Sequence, residues 1–154
     1  MTAIPQYTPS TPAALVGLYR RLIKLPERMP FSLVQLAARI AVAHVFWQSA
    51  QTKLASWPVT LQLFAIEYNL PFMHPSIAAS LATTAEITGS VLLFLGLFSR
   101  LGALMLLGVV SVIQIFVYPE NWAEHLQWAS LLLLVLIRGA GVFSLDRLAD
   151  RVFR

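Results

Sequence analysis

From Ile77 to Tyr118 the chain carries only two charged side chains, Glu86 and Arg100. Inside a bilayer no water is available to satisfy the backbone, so an apolar run of this kind can cross only as a helix or as part of a closed barrel. A helix needs about 20 predominantly apolar residues to span a ~30 Å hydrocarbon core. Ile77–Phe98 and Leu101–Tyr118 each meet that length. The Ser99-Arg100 pair between them leaves room only for a tight turn, so the two helices run antiparallel. Gly102 and Gly108 are the small residues that would let a neighbouring helix approach.

Two more segments follow the same pattern. Phe31 to about Leu54 is long enough to cross, although it contains Arg39 and His44. Ala123 to Ile137, extending toward Arg138, is a fourth crossing, ended by Gly139, Gly141 and Ser144. Over the 154 residues only 12% are charged and 58% are hydrophobic. A soluble domain carries about 25% charged residues. The expectation is therefore an all-α membrane protein: a four-transmembrane-helix bundle over residues 31–145, with residues 1–30 before it and a basic tail, 146–154, after it.

The connections fit that plan. Residues 1–12, rich in Thr and Pro, read as a tail. In Ala13–Leu25 the leucines 15, 18, 22 and 25 recur at helical spacing with Arg20, Arg21 and Lys24 between them. That predicts a short amphipathic helix on an anionic membrane surface. Its charges follow the apolar residues instead of preceding them, unlike a signal peptide. Between spans one and two, Leu61, Phe64, Ala65 and Tyr68 share a helical face, and Trp57 and Phe72 lie nearby. That predicts an interfacial helix anchored by aromatic rings.

The net charge of +4 does not indicate nucleic acid, because the basic residues gather near the two ends of the chain. Arg20, Arg21, Lys24 and Arg28 precede span one; Arg138, Arg147, Arg151 and Arg154 follow span four; Arg100 joins spans two and three. The other two connections carry only Lys53. The positive-inside rule then puts both termini in the cytoplasm. The chain has no cysteine, which removes disulfides, thiolate metal ligands and thiol chemistry from it. It contains no phosphate-binding or dinucleotide glycine motif, no nucleophile elbow and no metal-ligand spacing. There is no persuasive internal repeat.

An ionisable group inside a spanning segment is costly, and it usually faces the bundle interior with a partner. Counting 1.5 Å per residue, Arg39 lies about 12 Å into span one and Glu86 about 14 Å into span two from the other side. Both fall near mid-membrane, which makes Arg39 the candidate partner of Glu86. The pair is either a structural lock on helix register or the polar centre of a site. His44 and Gln114 reach a similar level, about 20 Å from the cytoplasmic boundary. His125 and Trp128 share a face at the outer end of span four. The candidate polar pocket is therefore Arg39, His44, Glu86, Gln114, His125 and Trp128, without a metal. A histidine exchanges protons near neutral pH. Polar groups of this kind among aromatic walls suit the carbonyl oxygens and ring of a quinone.

The order of Arg39, Lys53-Leu54, Glu86-Ile-Thr-Gly89, Leu92-Leu-Phe-Leu-Gly-Leu-Phe-Ser-Arg100, Trp122, His125, Trp128 and Gly139-Ala-Gly-Val-Phe-Ser-Leu-Asp146 resembles the DoxX family of small bacterial membrane proteins. The resemblance implies a four-helix bundle in the bacterial inner membrane. It links the chain to thiosulfate:quinone oxidoreduction, to membrane complexes that handle oxidative stress, and to metal-stress partners. Three function classes stay open. They are a redox-associated subunit working with quinone or a soluble oxidoreductase, a non-catalytic anchor or recruiting subunit, and a small transporter or channel formed by a homo-oligomer.

Overall fold

The computed structural model describes residues 15–20, 23 and 30–152. Among these the secondary structure is helical, with no strands. The expected tail at 1–12 lies outside the described residues. So do parts of the amphipathic helix at 13–25, of which residues 15–20 and 23 are helical. Phe31–Arg154 forms one compact unit.

The unit is built on α1 (Phe31–Ala55), α3 (Pro75–Leu95), α4 (Ser99–Val112) and α5 (Trp122–Arg138). Each is started or stopped by an identifiable residue. Pro75 stands in the first turn of α3, where a missing N–H costs nothing. Gly96, in the left-handed region at φ 68°, ends α3 and lets Leu97 N–H bond back to the Leu92 carbonyl. Short α2 (Trp57–Leu63) runs into a π turn, Phe64–Tyr68, which ends at left-handed Asn69. A helix therefore stands where one was expected, between Phe31–Ala55 and Pro75–Leu95. α4 continues through a second π turn, Ile113–Val117. A last helix, α6, covers Leu145–Val152.

The four long helices pack in a ring, α1 on α3, α3 on α4, α4 on α5 and α5 on α1. Val42, Phe46, Leu93, Leu106, Leu132 and Val135 fill the centre. Polarity is inverted relative to a soluble bundle. Arg39, Lys53, Glu86, Gln114 and His125 are buried, whereas Ile40, Leu81, Phe94, Leu104, Leu126 and Leu133 are exposed. Two helices, Pro75–Leu95 and Ser99–Val117, are long and apolar enough to cross a membrane. α1 has the length but carries Gln35, Arg39, Gln48, Gln51 and Lys53, and α5 has only 17 residues.

Gly102 does bring α4 against α3: a Cβ there would lie 3.0 Å from Leu92 Cβ and 3.1 Å from the Gly89 carbonyl oxygen. Gly108 corrects the expectation for the second glycine. Nothing lies within 4 Å of a Cβ at that position, because it faces a cavity and not a helix.

The expected Arg39–Glu86 pair is also corrected. Arg39 Nη1 donates to the Ala140 carbonyl at 3.1 Å and Nη2 to the Phe143 carbonyl at 2.8 Å. Its guanidinium packs directly over Gly96, at the end of α3. Glu86 instead stands beside Ser49. Ten residues of α3 separate these two levels, about 15 Å along the axis. Depth counted from each helix start misleads here because α1 begins before α3 ends. The first two turns of α1 pack on the loop after α5.

That loop forms a clasp. Gln35 Nε2 donates to the Arg138 and Gly139 carbonyls at 3.1 and 3.0 Å. The Asp146 carboxylate accepts from Phe98 N–H, Ser99 N–H and Ser99 Oγ at 2.7, 3.0 and 3.0 Å, capping the N-terminus of α4. The Asp146 N–H closes on the Gly96 carbonyl at 2.8 Å. The clasp joins α1, the α3–α4 turn and the start of α6 through backbone groups that the helices leave without partners.

Candidate functional site: a buried ion pair between two cavities

Glu86 is paired with Lys53. Lys53 Nζ lies 2.9 Å from both carboxylate oxygens. It also donates to Ser49 Oγ at 2.7 Å, and Ser49 Oγ donates to Glu86 Oε1 at 3.2 Å. Ser49 and Lys53 are four residues apart on α1 and so share a face. Thr60 Oγ1 donates to the Lys53 carbonyl at 2.7 Å, which ties the end of α1 to α2. Lys53 and Glu86 are 6% and 1% exposed, so water screens this pair little. An ion pair taken out of water holds only when its geometry and remaining hydrogen bonds are well satisfied. Here the carboxylate accepts three hydrogen bonds, two from Lys53 and one from Ser49, and three acceptors serve the ammonium.

The pair lies in the wall of a cavity of about 270 Å³. Phe64, Tyr68, Leu81, Met105, Val109 and Ile113 supply much of its apolar lining, and bare Gly108 leaves room in it. A second cavity, of about 160 Å³, meets Glu86 from the other side. It is bordered by Ser49, Tyr118, Asn121, Glu124, His125 and Trp128. Both cavities touch a π turn, through Tyr68 and Ile113. Such turns recur at functional sites because they re-aim side chains.

In the second cavity His125 Nδ1 lies 2.6 Å from Gln114 Oε1, while Gln114 Nε2 donates to the Pro119 carbonyl at 2.7 Å. With the amide so oriented, Oε1 accepts and Nδ1 carries the hydrogen. Trp128 stacks tilted on His125 and edge-on to Phe46. Tyr118 donates its hydroxyl to Glu67. That bond first, and partial burial second, holds the Tyr118 phenol above its ordinary range. Burial, then the Glu86 and Glu67 charges, raises that of Tyr68.

Of the six residues expected in one polar pocket, Glu86, His125 and Trp128 meet in the second cavity, with Gln114 bonded behind His125. Arg39 belongs to the clasp. His44 is exposed beside Trp47 and Phe94 in a separate groove between α1 and α3. It precedes Ser49 by five residues, which turns it about 140° around α1, away from the site. Lys53 was legible in principle. It continues the Phe46, Ser49, Ala50 face, but its place at the end of an apolar run reads as a loop charge. Among the described residues no three His, Asp or Glu side chains gather as a metal site.

A model of the DoxX family matches residues 34–119, more than half of the chain. The chain belongs to the DoxX family. No curated protein and no solved structure matches it. The segment matched to DoxX runs from the first turn of α1 to the end of the second π turn, so it contains Ser49, Lys53, Glu86 and Gln114. His125, Trp128 and the α5–α6 loop lie beyond it.

Proposed function

We propose that this DoxX protein is a four-span membrane subunit that holds the head of a quinone against the Lys53–Glu86 pair. The observation that carries the reading is a fully buried, fully bonded ion pair in the wall of an otherwise apolar cavity. At about 270 Å³ the cavity lies just under the range of roughly 300–1,000 Å³ for ligand sites, which suits a single substituted ring. The positive charge of Lys53, held in the cavity wall by Ser49 and Glu86, stabilises the negative charge that develops on a quinone carbonyl on reduction. Glu86 is placed to exchange the proton. Reduction of the ring to the quinol takes two electrons and two protons, and the electrons are supplied by a soluble oxidoreductase partner.

The charge distribution supports an orientation. Arg100, Arg138, Arg147 and Arg151 lie at the clasp end of the bundle, and Glu67, Glu120 and Glu124 at the other. By the positive-inside rule the clasp end is cytoplasmic, in a bacterial inner membrane.

The test is thermal unfolding in detergent with a short-tailed benzoquinone. Wild type should melt higher with quinone. Gly108→Leu, which projects a side chain into the cavity without meeting a neighbour within 4 Å of its Cβ, should fold and lose the shift. A wild-type melting temperature indifferent to quinone refutes the reading.

A further inference from the structure

Glu86 is the carboxylate at which the two cavities meet, and they differ in kind. The larger one is apolar. The smaller one leads from Glu86 past His125 and Tyr118 to Asn121 and Glu124, both exposed at the start of α5. In the opposite direction, toward the clasp, the bundle is dry. Phe46, Val42, Leu93, Leu106, Leu132 and Val135 fill it, none more than 2% exposed. Ser90, one turn beyond Glu86 on that side, is buried without a hydrogen-bond partner among the described residues, and beyond it lies the mainly apolar groove of Ile40, Trp47, Val91, Phe94 and Leu95, which also holds His44. Arg39 and its carbonyl partners then close the end.

We infer that Glu86 exchanges its proton with water on one side only, through the His125 cavity at the Glu124 end of the bundle. The groups that face Glu86 make this route workable. Lys53 from α1 holds the carboxylate in place. Tyr68 and Tyr118 border the path from the connecting segment and from the turn after α4. His125 and Glu124 border it from α5. Because His125 Nδ1 is engaged by Gln114, Nε2 is the ring nitrogen available to the cavity. Glu67, Glu120 and Glu124 make that end of the bundle acidic, which raises the local proton concentration there. The dry core and the Arg39 clasp block the other side. A one-sided connection ties the proton of Glu86 to the pH of one side of the membrane. This adds a route to the quinone reading, which it extends, but its test needs no quinone.

Dicyclohexylcarbodiimide reaches buried carboxyls through lipid and reacts with them only in the protonated form. The acid O–H adds across one C=N bond, and rearrangement leaves a stable N-acylurea carrying the whole reagent. The protein is reconstituted in vesicles, and the pH is set independently inside and outside. Because the chain has no cysteine, a single Glu120→Cys substitution read with a membrane-impermeant maleimide reports which end faces out. Peptide mass spectrometry then measures labelling of Glu86.

Labelling should follow the pH on the Glu124 side and ignore the pH on the Arg39 side. After a pH jump, His125→Gln should slow the approach to the new labelling rate about tenfold and leave the final rate unchanged. Asn121→Trp, which blocks the mouth without touching the ion pair, should do the same if His125→Gln fails to fold. Labelling that tracks the Arg39 side, tracks both sides equally, or is absent at every pH overturns the inference. A missing quinone shift together with one-sided labelling would refute the quinone reading alone.

Discussion

Gly96→Ala should be among the most damaging single-methyl changes in this protein. A Cβ at Gly96 would lie 2.1 Å from Arg39 Nη1 and 2.7 Å from Ser144 Cβ, at a backbone φ of 68°. Holding alanine in the left-handed region costs about 1–2 kcal/mol. Displacing Nη1 breaks the bond to the Ala140 carbonyl, and a hydrogen bond from a charged group contributes about 1.5–3 kcal/mol. The sum is about 2.5–5 kcal/mol, and more if the Phe143 bond is lost too. Titration with SDS from mixed micelles, followed by tryptophan fluorescence, measures it. Gly108→Ala is the control, since it stands in a helix with open space around its Cβ and should gain about 0.5–1 kcal/mol. A double-mutant cycle isolates the mechanism. In an Arg39→Ala background the guanidinium is gone, and Gly96→Ala should keep only the backbone strain, about 1–2 kcal/mol, and the close approach to Ser144 Cβ, so it should cost less than in wild type. An equal cost in both backgrounds, or a Gly96→Ala protein within about 1 kcal/mol of wild type, refutes the clasp argument, since such a change would match a median point mutation.

The same titration tests the ion pair. Lys53→Met and Glu86→Gln should each cost about 3 kcal/mol or more by leaving a buried charge unpaired, while the double variant, which removes both charges, should cost much less. Additive single costs would show that the two groups do not act as a pair. Stability should also fall above about pH 10, the ordinary phenol range, because the Tyr118 phenol titrates higher in the folded protein than in the unfolded one. A raised phenol contributes stability that is present below pH about 10 and lost as pH rises toward its folded value. Tyr118→Phe should flatten that part of the profile, and an unchanged slope would remove the Tyr118 phenol as the cause.

Local patterns in the chain are enough for the helices. Runs of apolar residues, Gly96, Pro75 and the Ser99-Arg100 turn each act within a few residues of where they stand. The short helix between Trp57 and Tyr68 is readable for the same reason. Membership of the DoxX family was also visible, in the order of Glu86, Gly89, Arg100 and Asp146. The partner of each buried charge was not. Arg39, Lys53 and Glu86 are equally conspicuous as charges in apolar sequence, and spacing within one helix says nothing about its offset against the next. That offset came from packing. Gly102 and Gly89 set how closely α3 and α4 approach, and the α5–α6 loop folds back to occupy the first turns of α1. With α1 shifted by about two turns relative to the depth count, Arg39 meets backbone carbonyls and Lys53 meets Glu86. The sequence alone established that carboxylates and bases must be buried in this bundle, because lipid tolerates them nowhere else. Only the tertiary structure decided which of them form a lock and which border a cavity, because that depends on register, a property of two helices and not of either one.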